Sequence, residues 1–384
     1  MTPAARQEST IDLLILSSVH WHFTWQRHHE VASRLAARGY RVTYFEPIPK
    51  RWPGFGEMGR VLGRLRGRHD EAGILRQRVP PGVRLAQALA LPDVSGLTRR
   101  LNRWWAMPRA ARTLGRHLGR PLVVLNYLPL AAAVELQRLL APDLAIYDCV
   151  WDWPNDPYSR PGVIRESELL AVVDLVFADS PFLFERMSAL HPAVERVLPA
   201  VDYDLYEAAR SAPRAVGERV RCVYFGAVGA NIDRPLLRRL SEEFSLRIIG
   251  PVQEELGELG PGTEVLGAVP QPELPALLAG ADVLVLPYRA AGHTRGVIPA
   301  KTFECLATGK PTVAKGLESL SELGDLFYLT EDADDFVAAV RRAATEGPEA
   351  REPRLAVARR NTWQQRGQEI DELIRRALAA RARP

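Results

Sequence analysis

The chain has 384 residues, of which 47% are hydrophobic and 25% are charged, and its formal net charge is +4. It is long enough for two globular domains with full cores, and no segment reaches the roughly 18 consecutive apolar residues of a membrane-spanning helix. The first residues hold too short an apolar run for a signal peptide, and the cysteines lack the spacing of a metal site. We therefore expect a cytoplasmic protein whose thiols, Cys149, Cys222 and Cys305, are buried.

The first elements predict a doubly wound α/β sheet. Residues 11–16 form an apolar run typical of a buried strand, residues 25–37 repeat apolar positions at helical spacing, and residues 41–45 form the next strand. Sheets of this kind bind ligands at the carboxyl ends of their strands, which here leads to the loop of residues 17–22. The loop lacks the G-x-G-x-x-G pattern, so we predict no dinucleotide site in it.

Residues 51–120 differ from the rest of the chain. They hold fifteen arginines against four acidic residues, and residues 97–118 mix apolar and arginine positions in a helical pattern with an interruption at Pro108. One interpretation is an anionic membrane surface as partner, with arginines on lipid headgroups and tryptophans at the interface. The alternative is a solvated, arginine-rich face over the core. We expect no nucleic acid as partner, because no nucleic-acid-binding fold signature accompanies the charge.

Four further strands are predicted in the first half, at residues 122–126, 144–148, 175–179 and 194–198. Asp148 ends the second of them and Asp152 follows shortly after, so both carboxylates are expected at the carboxyl edge of the sheet. Either carboxylate could accept a proton from a substrate hydroxyl. The alternative for each is a cap or a salt-bridge partner.

The second half begins the same strand–helix rhythm again. Residues 220–225 predict a strand, a glycine-rich turn starts at Gly226, and a helix follows over residues 235–243. Backbone N–H groups in such a turn can bind phosphate oxygens, or the turn can contact a sugar. Further on, the pattern predicts a strand at 246–249 and helices at 273–279, 334–343 and 364–379.

Residues 281–314 carry the strongest indication of a site. A buried strand, a polar loop and a helix over residues 300–308 follow one another, with Pro299 suited to the helix start and Gly309 to its end. The N-terminus of a helix attracts a phosphate through its free N–H groups and its dipole. The sequence therefore predicts an anion site at this helix.

Two charged residues of that helix support the prediction. Lys301 stands in the first turn, where a cation is unfavourable for the helix itself, so it indicates an external anion. Glu304 lies one turn further on, where a carboxylate could accept two hydrogen bonds from a ribose diol. The alternative is a solvated lysine and glutamate on a surface helix.

The segment from Pro299 to Pro311, PAKTFECLATGKP, resembles the P-x-K-x-F-E-x-L-A-x-G-K-P signature of bacterial group 1 glycosyltransferases with the GT-B fold, teichuronic-acid and exopolysaccharide enzymes among them. The resemblance implies two Rossmann-like, doubly wound domains facing across a cleft. It places an acceptor-binding domain over residues 1–205 and a nucleotide-sugar-binding domain over 206–360. A C-terminal helix within 361–384 would cross back to the first domain.

The resemblance also implies roles in donor binding. Glu304 would hold the ribose, and Lys301 with the helix N-terminus at Pro299, Ala300 and Thr302 would hold the diphosphate of a UDP-, GDP- or dTDP-sugar. The charge of the leaving diphosphate could be neutralised further by three arginines, Arg234, Arg289 and Arg295. The donor would also lie near Gly226 and against Val269, whose turn resembles the one that holds the nucleotide base. No cofactor and no metal are implied, and we reject Asp202-x-Asp204 as a metal motif because it stands in a linker.

On the acceptor side, residues 147–153 (YDCVWDW) resemble a family stretch with paired aspartates, in which Trp151 replaces the first of the pair. Asp152 is therefore preferred over Asp148 as the base. Relatives place the acceptor against the loop of residues 17–22, which makes His22 a candidate catalytic residue, with a structural hydrogen bond as the alternative. Gly296 stands where many relatives carry a second glutamate under the donor sugar, so the sugar and the stereochemical course stay open.

We thus expect a metal-independent, hexosyltransferase-like enzyme. Its acceptor would be a sugar, a glycolipid or a small molecule, in cell-surface polysaccharide, glycolipid or natural-product glycoside biosynthesis, at the inner face of the plasma membrane or in the cytoplasm. Gly296 and Trp151 keep a second interpretation open, a catalytically silent relative that binds nucleotide sugar as a partner subunit. A GT-B sugar-nucleotide epimerase is a further alternative.

Overall fold

The computed structural model describes residues 10–50, 52, 77–155, 162–211, 219–290, 294, 296 and 298–382. The chain divides into two compact units. Unit 1 comprises Met1–Ala178, Arg186–Glu195 and Gly367–Pro384, and unit 2 comprises Asp179–Glu185 and Arg196–Arg366. Each unit is built on its own sheet, so the two are described separately below.

Unit 1 contains a seven-stranded sheet in the order β3-β2-β1-β4-β5-β6-β7. The strand pairs from β3 through to β6 are parallel. The central strands are buried on both faces, which explains their unbroken apolar sequences. The strands are β1 (Asp12–Leu16), β2 (Arg41–Phe45), β3 (Val83–Ala86), β4 (Leu122–Asn126), β5 (Leu144–Cys149), β6 (Leu175–Ala178) and β7 (Val194–Arg196).

The helices of unit 1 are α1 (Arg27–Ala37), α2 (Gly96–Leu101), α3 (Met107–Gly115), α4 (Ala131–Leu140) and α5 (Glu166–Leu170). The residues of α6 (Pro181–Ser188) are divided between the two units at Arg186. Strand order reverses between β1 and β4, so the carboxyl ends of these two strands border the crevice where doubly wound sheets bind ligands. The loop after β1 and the segment after β5 both start at this edge.

Unit 2 contains a six-stranded sheet in the order β10-β9-β8-β11-β12-β13, and its strand pairs are parallel throughout. The strands are β8 (Arg221–Phe225), β9 (Ser245–Ile249), β10 (Glu264–Leu266), β11 (Val283–Pro287), β12 (Thr312–Lys315) and β13 (Tyr328–Thr330). Here the order reverses between β8 and β11, which places the turn at Gly226 and the segment after Pro287 at the same crevice.

The remaining α-helices described are α7 (Glu207–Ser211), α8 (Arg234–Glu243), α9 (Leu274–Ala279), α10 (Lys301–Thr308), α11 (Ala333–Ala344), α12 (Arg351–Arg359) and α13 (Trp363–Arg381). Most of α13 clusters with unit 1, where Asp371 accepts a hydrogen bond from the Tyr40 hydroxyl at 2.6 Å. The two parallel α/β units confirm the predicted fold class.

One predicted element differs from the structure. The helix predicted over residues 97–118 is not interrupted at Pro108: α2 continues through a π-helical turn, Asn102–Ala106, into α3. Proline lacks an N–H and its ring crowds the carbonyl four residues earlier. The wider π turn just before Pro108 accommodates both effects, and Met107 N donates to the Asn102 carbonyl there.

Candidate functional site

The N-terminus of α10 lies at the carboxyl edge of the sheet of unit 2. Ala300 is the N-cap, and the Thr302 N–H donates to the Pro299 carbonyl at 2.8 Å, which closes the first turn. Gly309 ends the helix in the left-handed conformation, as predicted from its sequence position. Thr302 is fully buried, and its hydroxyl makes no hydrogen bond with any residue that the structure describes.

Lys301 points from this first turn toward β8. Its ammonium donates to the Phe225 carbonyl at 2.6 Å and lies 4.5 Å from the centre of the Tyr224 ring, with the Tyr288 ring 5.7 Å away. Within the described part of the chain it forms no ion pair with a carboxylate. Carbonyl and π-face contacts stabilise a cation less than a counter-ion does.

Burial lowers the pKa of Lys301 to about 8, although the nearby Glu304 carboxylate acts in the opposite direction. Removing the ammonium from water penalises its charged form, and a bound anion would reverse that penalty. The electrostatics of Lys301 thus fit a side chain whose counter-ion is a ligand.

Two glycines leave room for the lysine head. Gly226 follows β8 with a φ of +118°, and a β-carbon there would collide with the Lys301 ammonium. Gly250 follows β9 with a φ of +139°, and a β-carbon there would collide with the Gly226 carbonyl. Only glycine adopts such backbone angles readily, so the predicted turn at Gly226 is built around the approach of Lys301.

Glu304 is half-buried one turn after Lys301. It lies beside Tyr206, whose pKa is raised far above its ordinary value, first by burial and then by the Glu304 carboxylate. The Tyr206 side chain is fully buried.

The arginines predicted to help with the diphosphate differ in their surroundings. Arg234 begins α8 and pairs with the Glu254 carboxylate at 2.9 Å, while it also donates to the Glu255 carbonyl at 3.0 Å. Arg289 is exposed just after β11, and no ion pair joins it to a described carboxylate. Arg295 lies outside the described residues.

Lys315 is a cation at this edge that the sequence analysis missed. It ends β12 and pairs at 2.7 Å with Asp233, which also caps α8 by accepting from the Leu236 N–H. Its position at the carboxyl end of a central strand was the signal that could have identified it. Lys315 thus has a carboxylate partner, whereas Lys301 and Arg289 form no ion pair with a carboxylate of the described residues.

Two further predicted positions lie in the same unit. Val269 is half-buried and packs against the core. Gly296 is held by the Ser180 hydroxyl, which donates to its carbonyl, and a β-carbon there would come within 2.5 Å of the Phe182 ring. A glutamate in the place of Gly296 therefore requires Phe182 to move.

In unit 1, Asp148 is fully buried at the end of β5 and pairs with Arg27 of α1 through two hydrogen bonds of 2.9 and 3.0 Å. The Tyr127 ring packs nearby, and burial followed by the Asp148 charge raises its pKa well above the ordinary value. The pair occupies both oxygens of the carboxylate. This geometry favours a positioning role for Asp148 over proton abstraction.

Asp152 is also buried, in a network of charges beyond β5. Its Oδ2 accepts from the Asn155 amide at 2.7 Å, and its Oδ1 lies 3.7 Å from Arg186 Nε without a hydrogen-bond partner among the described residues. Arg186 forms two hydrogen bonds with Glu166, of 2.6 and 2.9 Å. The sequence analysis missed Arg27, Arg186 and Glu166.

The loop after β1 is fixed by its own contacts. Glu46 pairs with His20 and accepts from the Trp21 N–H at 3.2 Å, and Trp21 is fully buried. Burial lowers the pKa of His29, behind the loop, to about 4. His22 is half-buried in the loop. These contacts position the loop at the carboxyl edge of β1.

Within the residues described, no three His, Cys, Asp or Glu side chains are grouped as a metal site would require. In the same part of the chain, no helix is both long and apolar enough to cross a membrane.

Comparisons with known proteins agree with the predicted family. Residues 230–346 match the family model described as Glycosyl transferases group 1. A protein of Bacillus subtilis (strain 168), named teichuronic acid biosynthesis glycosyltransferase TuaH, is 27% identical over 262 residues. That alignment covers 59% of this chain and 66% of the relative, so it spans slightly less than two thirds of the relative's length.

Solved structures share the fold over nearly the whole chain. A glycosyltransferase from Rickettsia africae ESF-5 has a TM-score of 0.65 at 11% identity and covers 97% of this chain and 99% of its own. Anabaena Alr3699/HepE, solved in complex with UDP and glucose, has a TM-score of 0.60 at 14% identity and covers 94% of this chain and 99% of its own. At such identities the likeness shows the fold, which is GT-B.

Proposed function

We propose that this chain, a GT-B protein with a group 1 glycosyltransferase domain, moves a sugar from a nucleoside diphosphate sugar to an acceptor hydroxyl. The matching family domain and the relative of Bacillus subtilis support a glycosyltransferase activity. The HepE structure, solved in complex with UDP and glucose, supports a nucleotide sugar as the donor.

One observation carries the proposal. A buried ammonium, Lys301, lies at the reversal of strand order in unit 2 and has no carboxylate counter-ion among the described residues. The free N–H groups at the start of α10 lie beside it, and Glu304 lies one turn away. A diphosphate supplies the missing negative charge, and a ribose diol supplies two donors for the carboxylate.

The chemistry of the donor follows from these charges. The bond between the sugar C1 and the diphosphate oxygen breaks, and negative charge grows on the departing diphosphate. Lys301 and the helix N-terminus stabilise that charge, with Arg289 and Arg295 as further candidates. Each such donor typically stabilises a transition state by about 3 kcal/mol.

In an inverting reaction, Asp152 would accept the acceptor proton. The acceptor oxygen then attacks C1 as the bond to diphosphate breaks, and the proton ends on Asp152 Oδ1, the oxygen without a hydrogen-bond partner among the described residues. Arg186, 3.7 Å away, would stabilise the carboxylate before the transfer. In a retaining reaction the departing phosphate takes the proton, and Asp152 has no such role.

The acceptor would contact the loop after β1, with His22 as a lining residue. The name of the Bacillus subtilis relative favours a carbohydrate chain of the cell surface as acceptor over a small natural product. Among the candidate donors, we expect a UDP-sugar rather than a GDP- or dTDP-sugar.

The donor proposal is tested by calorimetric titration with UDP, GDP and dTDP. We expect the wild type to bind one of them and Glu304→Ala to bind it about ten- to a hundredfold more weakly, because a charged hydrogen bond contributes roughly 1.5–3 kcal/mol. If the bound nucleotide is UDP or GDP, its 2′-deoxy analogue serves as control: it should lose affinity for the wild type but little for Glu304→Ala, whereas dTDP already lacks the 2′-hydroxyl. Equal loss for both proteins would remove Glu304 from the ribose.

The acceptor proposal is tested by the turnover of Asp152→Asn at saturating donor. Loss of a general base typically lowers kcat by about 10²–10⁴-fold. Nucleotide affinity should stay within about twofold, since this residue belongs to unit 1. An unchanged kcat would exclude Asp152 as the base, and nucleotide binding without turnover or donor hydrolysis in the wild type would favour the silent relative.

A further inference from the structure

An exposed apolar stripe runs along one helical segment of unit 1. The stripe consists of Leu97, Leu101, Trp104 and Trp105, whose exposed fractions are 69%, 44%, 75% and 53%. These are four of the twelve large hydrophobic side chains exposed in the described part of the chain, and they fall within nine residues. Single exposed hydrophobics are common on protein surfaces, whereas such a cluster marks an interaction surface.

The fold of unit 1 does not need these four side chains. The same segment, from α2 through the π turn into α3, buries its opposite face against the core through Ala106, Met107, Ala110 and Leu114. A surface helix with one buried face normally turns polar residues to solvent. This segment instead carries a second apolar face, most of which is exposed to solvent.

Arginines border the stripe. Residues 96–116 contain six arginines and no acidic residue. Arg103 approaches the Glu135 carboxylate only to 3.9 Å, and Arg100 lies 5.9 Å from the centre of the Trp104 ring. No carboxylate of the described residues forms an ion pair with Arg100, Arg109, Arg112 or Arg116. The surface thus combines apolar side chains with unneutralised positive charge.

The segment is held rigidly at the carboxyl edge of the sheet. The buried Asn102 side chain bonds both backbone groups of Leu91 and the Asp93 carboxylate, at 2.7 to 2.9 Å. Asp93 in turn accepts from the Ala132 N–H at 2.8 Å, at the start of α4 and just beyond the end of β4. The stripe therefore begins near the carboxyl edge of the sheet of unit 1. Asp152, which follows β5, lies at the same edge.

We propose that the stripe docks unit 1 on an anionic membrane surface. The tryptophans and leucines enter the interface between headgroups and acyl chains, and the arginines bind the anionic headgroups. Charge complementarity favours this occupant: a second copy of the chain would bring six more arginines per segment against the first six. A corollary, which rests on the proposed function, is that an acceptor anchored in the same membrane would reach the carboxyl edge of unit 1.

The proposal is tested by sedimentation of the full chain with vesicles. The vesicles contain phosphatidylcholine alone or with about one third phosphatidylglycerol. We expect at least tenfold stronger binding to the anionic vesicles, and at least tenfold weaker binding to them by the double variant Trp104→Ser/Trp105→Ser. The control is Leu190→Ser, which changes a side chain of unit 1 that is 57% exposed but lies outside the segment; its binding should stay within twofold.

A second pair of variants separates charge from apolar contact. Arg100→Gln/Arg112→Gln should weaken binding to anionic vesicles severalfold and reduce its dependence on salt, whereas Arg360→Gln, an exposed arginine of unit 2, should not. No binding to anionic vesicles, or equal loss in Leu190→Ser, would overturn the proposal. The proposal would also be overturned if light scattering showed that the wild type is a dimer and that Trp104→Ser/Trp105→Ser is a monomer. Titration of the same variants with UDP separates a failure of membrane docking from a failure of the proposed function. Their affinity for UDP should equal that of the wild type, whether or not they bind vesicles.

Discussion

The carboxyl edges of the two sheets handle charge in opposite ways. At the edge of unit 1, the buried Arg27–Asp148 and Arg186–Glu166 pairs are joined by two hydrogen bonds each. At the edge of unit 2, the half-buried Lys301 lies against a carbonyl and aromatic rings, and no carboxylate within the described residues pairs with it. At the first edge each of these arginines has a carboxylate partner, whereas under the proposed function the cation of the second edge is neutralised by an anion from outside.

This difference matches what each edge would bind under the proposed function. An acceptor hydroxyl is neutral, so unit 1 needs fixed geometry and one carboxylate oxygen, such as Asp152 Oδ1, more than it needs net charge. A diphosphate carries negative charge, so unit 2 needs an unsatisfied cation. The same fold thus supports both tasks through the pairing of a few side chains.

The largest effect should come from breaking a complete pair in unit 1. Asp148→Asn removes the carboxylate that accepts two hydrogen bonds from the buried Arg27 guanidinium, and breaking a buried ion pair typically destabilises a protein by about 3–5 kcal/mol. Urea unfolding measures the loss. The double variant Arg27→Met/Asp148→Leu removes both charges of this pair, so most of the stability should return.

The matched control is Glu195→Gln, because the Arg376–Glu195 pair belongs to the same unit but is exposed, at 68% and 41%. It should cost at most about 1 kcal/mol. If Asp148→Asn were no more destabilising than this control, the first edge would not depend on its buried pairs, and the contrast between the edges would fail.

The sequence predicted the second edge better than the first, for a physical reason. Gly226, Lys301 and Glu304 belong to strand–turn–helix segments whose own geometry brings them to the reversal of strand order. Arg27 and Asp148 are 121 residues apart, and their pairing depends on how α1 packs over β5. A run of buried polar residues at the start of α1, Arg27 to Glu30, was the available signal.

Removing the unpaired cation should affect the ligand more than the fold. Lys301→Met keeps the aliphatic stem but removes the charge, so UDP affinity should fall about ten- to a hundredfold by calorimetry. Arg234→Gln is the matched variant: because Arg234 already pairs with Glu254, we expect a change of less than about threefold. If both variants lost a similar amount of UDP affinity, an ion pair with a carboxylate in the free protein would not determine which cation binds the diphosphate.

The pH dependence of binding is the effect most specific to Lys301. Since burial lowers its pKa to about 8 in the free protein, the amine is largely charged at pH 7 and largely neutral at pH 9. Binding a diphosphate requires the charged form, so above pH 8 the protein must take up a proton as it binds.

The dissociation constant for UDP should therefore rise toward tenfold for each pH unit above 8 and level off below pH 7. Titrations between pH 6.5 and 9.5 measure this dependence. Lys301→Arg is the control, because a guanidinium stays charged over the whole range and should give a nearly flat profile. A flat profile in the wild type would mean that Lys301 is not the cation that the diphosphate neutralises, and the contrast between the two edges would then not hold.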